Sequence, residues 1–163
     1  MLNIKFVDVA TTGLLEQLQE RTTWCKENII DLTITVINSS SDISEAIVNL
    51  NRQQLYQLGE DIKGLRFAPY NSIYYAEMKF NLRGDGKDLT DLFLTGDFQN
   101  GMYLYFEGEM YGINSQDWKT SKLEEKYGEI FGLNEDSKLL VFPMLKPPLQ
   151  ELVMNILKTG SVI

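Results

Sequence analysis

Histidine is absent from this sequence of 163 residues, and cysteine occurs only once, at position 25. Without histidine, a mechanism loses the most common general base and the most common metal ligand. A single cysteine forms neither an intrachain disulfide nor a cysteine-based zinc site, so Cys25 is interpreted as a small buried residue in a reducing compartment. The sequence therefore predicts no cofactor, and any catalysis would have to use carboxylates, lysine, tyrosine or that thiol.

Long apolar segments and an excess of basic residues are also missing. No window approaches the roughly 18 apolar residues of a membrane span, so no membrane partner is expected. The first residues show no basic region followed by an apolar one, which favours a protein that stays in the cytoplasm where it is made. Fifteen lysine and arginine residues stand against 23 aspartate and glutamate residues, for a net charge of −8. This balance disfavours a nucleic-acid-binding protein, because that affinity depends on cationic side chains.

Length and composition predict one folded domain over residues 1–163. The chain is long enough for a single core, and its 44% hydrophobic and 23% charged residues are typical of globular proteins. Residues 1–11 alternate partly and are interpreted as an arm or an edge strand. The segment 63–87 is interrupted by glycine and proline and predicts a long loop, which we expect to become ordered through contacts with a neighbour.

Helical periodicity predicts two helices in the first third of the chain. With Thr12 as N-cap, the first helix has an apolar stripe at Leu14, Leu15, Leu18, Thr22, Cys25 and Ile29. The β-branched segment from Leu32 to Ile37 is ambiguous. Asp42 and Glu45 resemble a capping box that begins the second helix, and Gly59 is placed to end it in the left-handed conformation. Its expected buried stripe contains Ile43, Ile47, Leu50, Gln54 and Leu58.

A hairpin is the clearest β signal. The segments 102–106 and 110–113 predict two strands, and the Glu-Gly-Glu sequence at 107–109 predicts the turn between them. In the first strand, alternation places Leu104 and Phe106 on one face and Tyr103 and Tyr105 on the other.

Short helices are predicted around this hairpin. One is expected from Ile73 to Phe80, and another is capped by Ser121 and Glu124 and ends at Gly128. The segment 139–142 is interpreted as a buried strand or the approach to a helix, and Pro148 begins a final helix. The predicted fold class is α+β, with N-terminal helices, a small antiparallel sheet with a central hairpin, and a C-terminal helix packed on the sheet.

Two acidic patterns could be either chemical sites or parts of the solvated surface. One is the glycine-flanked series Asp85, Asp88, Asp91 and Asp97. Apolar residues interrupt the alternating ligands that an EF-hand calcium loop needs there. Glu107 and Glu109 flank a turn, whereas a glycosidase holds two carboxylates apart in a cleft. Both patterns favour solvated loops, so neither predicts a metal site or a catalytic residue.

Aromatic residues are abundant, with two tryptophans, eight tyrosines and eight phenylalanines. They alternate with acidic and amide residues, so stacking on nucleic acid would lack its cationic complement. Core packing accounts for most of them, and the others are interpreted as anchors of a protein interface.

Three segments resemble the tail-completion, or virion-morphogenesis, family of tailed bacteriophages. Residues 50–79, LNRQQLYQLGEDIKGLRFAPYNSIYYAEMK, are similar to its helix, glycine turn and Pro-Tyr segment, followed by Tyr-Ala and a lysine. Residues 94–106, LTGDFQNGMYLYF, are similar to its Thr-Gly and the strand that starts the sheet. Residues 113–137, INSQDWKTSKLEEKYGEIFGLNEDS, are similar to a variant found in phages of gut bacteria. This chain lacks the histidine that many relatives carry, and its first 40 residues show no such resemblance.

The resemblance implies a structural subunit of the virion neck or upper tail, made in the cytoplasm of the bacterial host. Copies would form a ring on the connector, or portal, of the DNA-filled head and contact other neck or tail proteins. DNA would pass through without specific binding, and Glu107 and Glu109 are candidates for an acidic channel wall that repels phosphates. The expected interface residues are Tyr70, Tyr74, Tyr75, Tyr103, Tyr105, Trp118 and Tyr127.

Two other functions stay open at this point. One is a carboxylate-based hydrolase that acts on cell-wall glycan. The other is a regulatory module whose acidic surface mimics nucleic acid and occupies a host factor.

Overall fold

Three consecutive helices form the N-terminal part of the structure, a computed structural model that describes residues 13–83, 90–93, 95–108 and 110–161. They are α1 (Leu14–Glu27), α2 (Ile29–Ser39) and α3 (Ser41–Gln53), and a π-helical turn, Gln54–Leu58, continues α3. The predicted arm or edge strand at 1–11 lies outside the described residues.

The segment left ambiguous by the sequence lies in helix α2. Leu32, Val36 and Ile37 recur at helical spacing and are all buried. Their β-branched neighbours lower helix propensity only slightly, and burial of one face is what stabilises most helices in proteins. Tertiary packing therefore decides the conformation here.

The predicted stripe of α1 is only partly correct. The helix begins after Gly13, which serves as N-cap in place of Thr12. Cys25 is buried as expected, but Leu14 and Leu15 are exposed because the N-terminal half of α1 extends beyond the core. The other end of α1 is fastened to the end of the chain, since the Arg21 guanidinium donates to the carbonyls of Leu157 at 2.8 Å and Lys158 at 3.1 Å.

The N-cap of α3 differs from the predicted one, whereas the predicted end of this helix at Gly59 is correct. Ser40 is the N-cap, and its side chain accepts a hydrogen bond from the Ile43 amide at 3.4 Å. The predicted capping box at Asp42 and Glu45 is therefore out of register by two residues. Gly59 ends the π-helical turn with φ +63°, a left-handed conformation that glycine adopts without steric cost. The stripe is buried as predicted at Ile43, Ile47 and Gln54 and partly at Leu50, whereas Leu58 is exposed.

The hairpin is confirmed. Strands β1 (Met102–Glu107) and β2 (Met110–Ser115) pair antiparallel, and Glu107 stands opposite Met110 beside the two-residue turn. Gly108 has φ +59°, as tight hairpin turns favour. Tyr103 and Tyr105 are exposed on one face, and Leu104 and Phe106 pack against the core on the other, as alternation predicted.

Three further helices lie around the hairpin, namely α4 (Ile73–Arg83), α5 (Asp97–Asn100) and α6 (Thr120–Tyr127). Helix α4 runs past the predicted end at Phe80. Helix α6 ends at Gly128 as predicted, but Ser121 does not cap it. At the start of α6, the Asp117 carboxylate instead accepts a hydrogen bond from the Lys119 amide at 2.7 Å.

The predicted loop 63–87 contains α4, and the chain just before α4 is anchored within the molecule. Glu60 and Arg66 form an antiparallel bridge, and the Phe67 amide donates to the Gly59 carbonyl at 2.8 Å. The Ile62 amide also donates to the Glu129 carbonyl at 3.2 Å. The first two contacts hold the segment together, and the bond from Ile62 ties it to the loop that follows α6.

The last helix, α7 (Glu135–Thr159), begins thirteen residues before the predicted start at Pro148. Asn134 caps it by accepting from the Ser137 amide at 2.9 Å, and Gly160 ends it with φ +73°. Prolines at 143, 147 and 148 lie inside the helix, where each lacks a backbone donor. Packing against α1, α2 and α3 outweighs that loss. The segment 139–142 is therefore helical, and of its four residues only Val141 is buried.

The structure confirms the α+β class, but the packing of the last helix differs from the prediction that it lies on the sheet. Helix α3 packs on β1, whereas α7 packs mainly on the three N-terminal helices. The main core joins α2, α3, the hairpin and Val141 of α7, and a smaller cluster joins Cys25, Leu32 and Ile156. Within the described helices, none combines the length and apolarity needed to cross a bilayer.

Candidate functional site

A cleft of about 800 Å³ opens between the start of α4, the segment 92–99 and helix α6. Aromatic side chains are the largest group among its lining residues, and Tyr70, Tyr75, Phe93, Phe98 and Tyr127 contribute to it. We call this site the aromatic cleft. Four of the seven interface residues expected from the sequence, Tyr70, Tyr74, Tyr75 and Tyr127, line it.

A buried ion pair between Lys79 and Asp91 lies beside this cleft. The Lys79 ammonium also donates to the Tyr70 hydroxyl at 2.5 Å, and that hydroxyl donates to the Asp91 carboxylate at 3.0 Å. The Phe93 amide donates to the same carboxylate oxygen at 3.1 Å. The three side chains therefore satisfy one another, as a buried charge pair requires.

Asp91 belongs to the acidic series that was compared with an EF-hand calcium loop. Its carboxylate is engaged by Lys79 and Tyr70, and Asp97 accepts a hydrogen bond from the Thr95 hydroxyl at 2.6 Å. Asp85 and Asp88 lie outside the described residues. In the part of the chain that the structure describes, no group of three or more acidic or cysteine side chains is placed to hold a metal.

Two tyrosines of the cleft, Tyr70 and Tyr75, have a raised pKa and stay protonated at neutral pH. Burial is the largest cause that raises the pKa of Tyr70 well above its usual range, and the neighbouring Asp91 charge acts in the same direction. Burial also raises the pKa of Tyr75. A raised pKa makes both hydroxyls weaker acids and keeps their phenolate forms unpopulated at neutral pH, so they act here as hydrogen-bonding and packing groups.

Replacing Tyr70 with phenylalanine is expected to flatten the loss of stability in alkaline solution. The pKa of Tyr70 is raised in the folded state, so above about pH 10 the unfolded chain releases a proton that the native state keeps. The free energy of unfolding of the unmodified protein should therefore fall as the pH rises through this range. Urea unfolding between about pH 8 and 11 should give a shallower fall for Tyr70→Phe, with the exposed Tyr74→Phe as control. Equal slopes in all three proteins would contradict the argument.

Three lysines, one just before α6 and two within it, form a cationic rim on the aromatic cleft. Lys119, Lys122 and Lys126 are spaced by three and four residues, which places them on one side of the helix. Lys119 and Lys122 lie 5.5 Å and 5.3 Å from the centre of the Trp118 ring, and Trp118 is exposed beside the rim. None of the three lysines forms an ion pair with another described residue. The sequence-based reasoning missed this rim, although the lysine spacing on the predicted short helix was visible.

The remaining predicted interface residues lie on the hairpin, away from this cleft. Tyr103 and Tyr105 have ring centres 6.3 Å apart on its exposed face. Tyr105 lies across Gly112, where a Cβ atom would approach the ring to 2.6 Å, so glycine is needed there. Glu107 is exposed beside the turn, and Glu109 lies outside the described residues. The predicted residues thus fall into two separate surfaces.

The aromatic cleft can bind an apolar group and attract an anion. It offers a tyrosine-rich wall and, at the rim, lysines with no ion-pair partner among the described residues, within a chain of net charge −8. Lys79, which lines the cleft, is already paired with the buried Asp91 carboxylate beside it. Comparisons of the chain with protein-family models, with curated proteins and with solved structures find no match in any of the three.

Proposed function

We propose that this protein is a structural subunit of a phage neck or upper tail. Copies form a ring that joins the connector of the DNA-filled head to the tail. The proposal draws on the resemblance of residues 50–79, 94–106 and 113–137 to the tail-completion family, and on apolar surfaces that suit a protein made to be covered by neighbours. DNA passes the ring without specific binding, in keeping with the net charge of −8.

The observation that carries the proposal is the exposed apolar surface of α7. Leu139, Leu140 and Phe142 are 70%, 61% and 65% exposed, while Val141 between them is buried. The helix is therefore apolar around its whole circumference at this level, which is typical of helices that are covered on all sides. Contiguous exposed apolar surface marks interaction sites in soluble proteins.

A second apolar surface lies at the N-terminal half of α1. Leu14, Leu15 and Leu18 share one side of the helix and are exposed. A subunit with separate apolar surfaces can contact different neighbours, which is what a ring docked on other proteins requires.

The hydrolase alternative has less support from the geometry. A retaining or inverting glycosidase holds two carboxylates in a cleft, one of them in a pocket that raises its pKa. Glu107 is exposed beside a hairpin turn, and the buried Asp91, beside the aromatic cleft, is paired with Lys79. We therefore retain the structural role.

The proposal is tested by finding the protein in mature particles. Purified virions should contain it in several copies, and electron microscopy should place it between head and tail. Particles made without it should contain filled heads that lack joined tails. The absence of the protein from mature particles, or turnover of cell-wall glycan by the purified chain, would overturn the proposal.

Replacing Phe142 with glutamate is expected to reduce incorporation into particles by about tenfold or more, because a charge would be buried in the contact made by α7. Phe142 is exposed, so the free energy of unfolding should stay within about 0.5 kcal/mol of its original value. Gln150→Glu adds the same charge at another exposed position of α7 and is the matched control. Normal incorporation of Phe142→Glu would show that this surface is not an assembly contact.

A further inference from the structure

We propose that the hairpin tip of one subunit inserts into the aromatic cleft of a second copy of this chain. The inference rests on the proposed function and names the contact that would link neighbours in the ring. Two features carry it, the chemistry of the cleft and the matching chemistry of the tip.

The aromatic cleft selects an occupant that is both apolar and acidic. Its wall contains Tyr75, Phe98 and Tyr127, so an apolar side chain would be desolvated there. Lys122 and Lys126 stand at its rim with no ion-pair partner among the described residues. A basic or strongly hydrophilic segment would meet like charge at this rim or leave the aromatic wall in water.

The hairpin tip has that composition. Glu107 is exposed and also lacks an ion-pair partner in the described part of the chain. Met110, directly opposite it in the pairing, is 68% exposed, and Tyr111 is exposed next to it. An acidic group thus stands beside a flexible apolar side chain and an aromatic ring. Methionine adapts well to irregular apolar sites and makes favourable contacts with aromatic rings.

The tip does not reach the cleft of its own chain. The cleft residues Phe98 and Lys119 adjoin the base of the hairpin, where Met102 pairs with Ser115. Strands rise about 3.3 Å per residue, so the tip projects about 17 Å away from that base. A contact between tip and cleft therefore joins two molecules.

Such a contact is head to tail, because tip and cleft are different surfaces of one subunit. Repetition of a head-to-tail contact around an axis closes a ring. This assignment places Glu107 in a contact between subunits and not on the DNA channel wall expected from the sequence.

Charge reversal tests the contact in assembled particles. Glu107→Lys and Lys122→Glu should each lower incorporation by about tenfold, because each places like charges together. The double variant should restore most of it, since the pair is then reversed. Glu151→Lys changes the charge of an exposed residue elsewhere and should have no effect. All variants are compared in urea unfolding, so that a loss of stability is recognised.

A disulfide trap identifies the occupant. A chain with Glu107→Cys and Lys122→Cys should form intermolecular ladders under mild oxidation of particles, whereas the native Cys25 is buried and each single variant should give none. No ladder and no rescue, in particles that still contain the protein, would overturn this contact and leave the proposed function standing. A cross-link from position 122 to a different protein would also overturn it. Absence of the unmodified protein from particles would instead overturn the proposed function, and this contact with it.

Discussion

Replacing Lys79 with methionine is expected to lower the free energy of unfolding by about 3–5 kcal/mol. The side chains of Lys79 and Asp91 are only 7% and 8% exposed, so the variant would leave the Asp91 carboxylate buried without its lysine. The hydrogen bonds from Tyr70 and Phe93 come from neutral groups and do not replace the lysine charge. A loss of this size is a large part of the total stability of an ordinary domain. Urea unfolding at neutral pH measures it.

Two further variants show whether the loss of stability comes from the burial of the Lys79–Asp91 pair or from the loss of an ion pair as such. Lys63 and Glu129 also form an ion pair, at 2.8 Å, but their side chains are 64% and 59% exposed. Lys63→Met should therefore change the free energy of unfolding far less than Lys79→Met, because solvent screens the exposed pair. Adding Asp91→Asn to Lys79→Met should recover much of the loss, because the amide keeps an acceptor for Tyr70 and carries no charge. If Lys79→Met were as stable as Lys63→Met, the buried pair would not have the role assigned to it.

Replacing Gln54 with leucine is expected to destabilise the protein by about 2–4 kcal/mol. The buried Gln54 side chain accepts from the Asn134 amide at 2.9 Å and donates to the Asp61 carbonyl at 2.9 Å. Leucine has a similar volume but would leave both backbone groups without this partner. The cap of α7 depends on the first of them, because Asn134 is its N-cap.

The matched control for this variant is Gln57→Leu, since Gln57 lies in the same π-helical turn and is exposed. It should change the free energy of unfolding by less than about 0.5 kcal/mol. Amide hydrogen exchange should also show faster opening at the start of α7 in Gln54→Leu, but not in Gln57→Leu. Equal losses in the two variants would assign the effect to the turn itself and not to the hydrogen bonds of Gln54.

Local signals in the sequence predicted the parts of the fold that depend on near neighbours. Alternation predicted the hairpin and its two faces, and glycine marked the ends of helices at Gly59 and Gly128. These features follow from backbone conformation and period-two burial, which a short segment specifies by itself.

The errors arose where distant packing decides the conformation. Pro148 resembles a helix start, yet α7 continues through it because three other helices cover its side. The first turns of α1 have the periodicity of a buried stripe, but no part of the core reaches Leu14. Periodicity shows that a helix has an apolar side and does not show what covers it.

The residues of the candidate site were only partly visible in the sequence. The resemblance implied that Tyr70, Tyr75 and Tyr127 are interface residues; the structure brings them to one cleft, and their place in an interface stays a prediction. The ion pair between Lys79 and Asp91 could not be inferred, because it depends on tertiary packing that brings Asp91 next to α4. A lysine and an aspartate twelve residues apart carry no signal of contact in a single sequence.

The hydrogen bonds from Arg21 to the last carbonyls of α7 tie the C-terminal end of α7 to α1. Gly160 allows this approach, since a Cβ atom there would lie 3.0 Å from the guanidinium. The exposed leucines of α1 and the apolar turns of α7 therefore belong to two helices that are bonded to each other. In the proposed ring, the angle between these two helices would set the curvature, and so the diameter of the central hole.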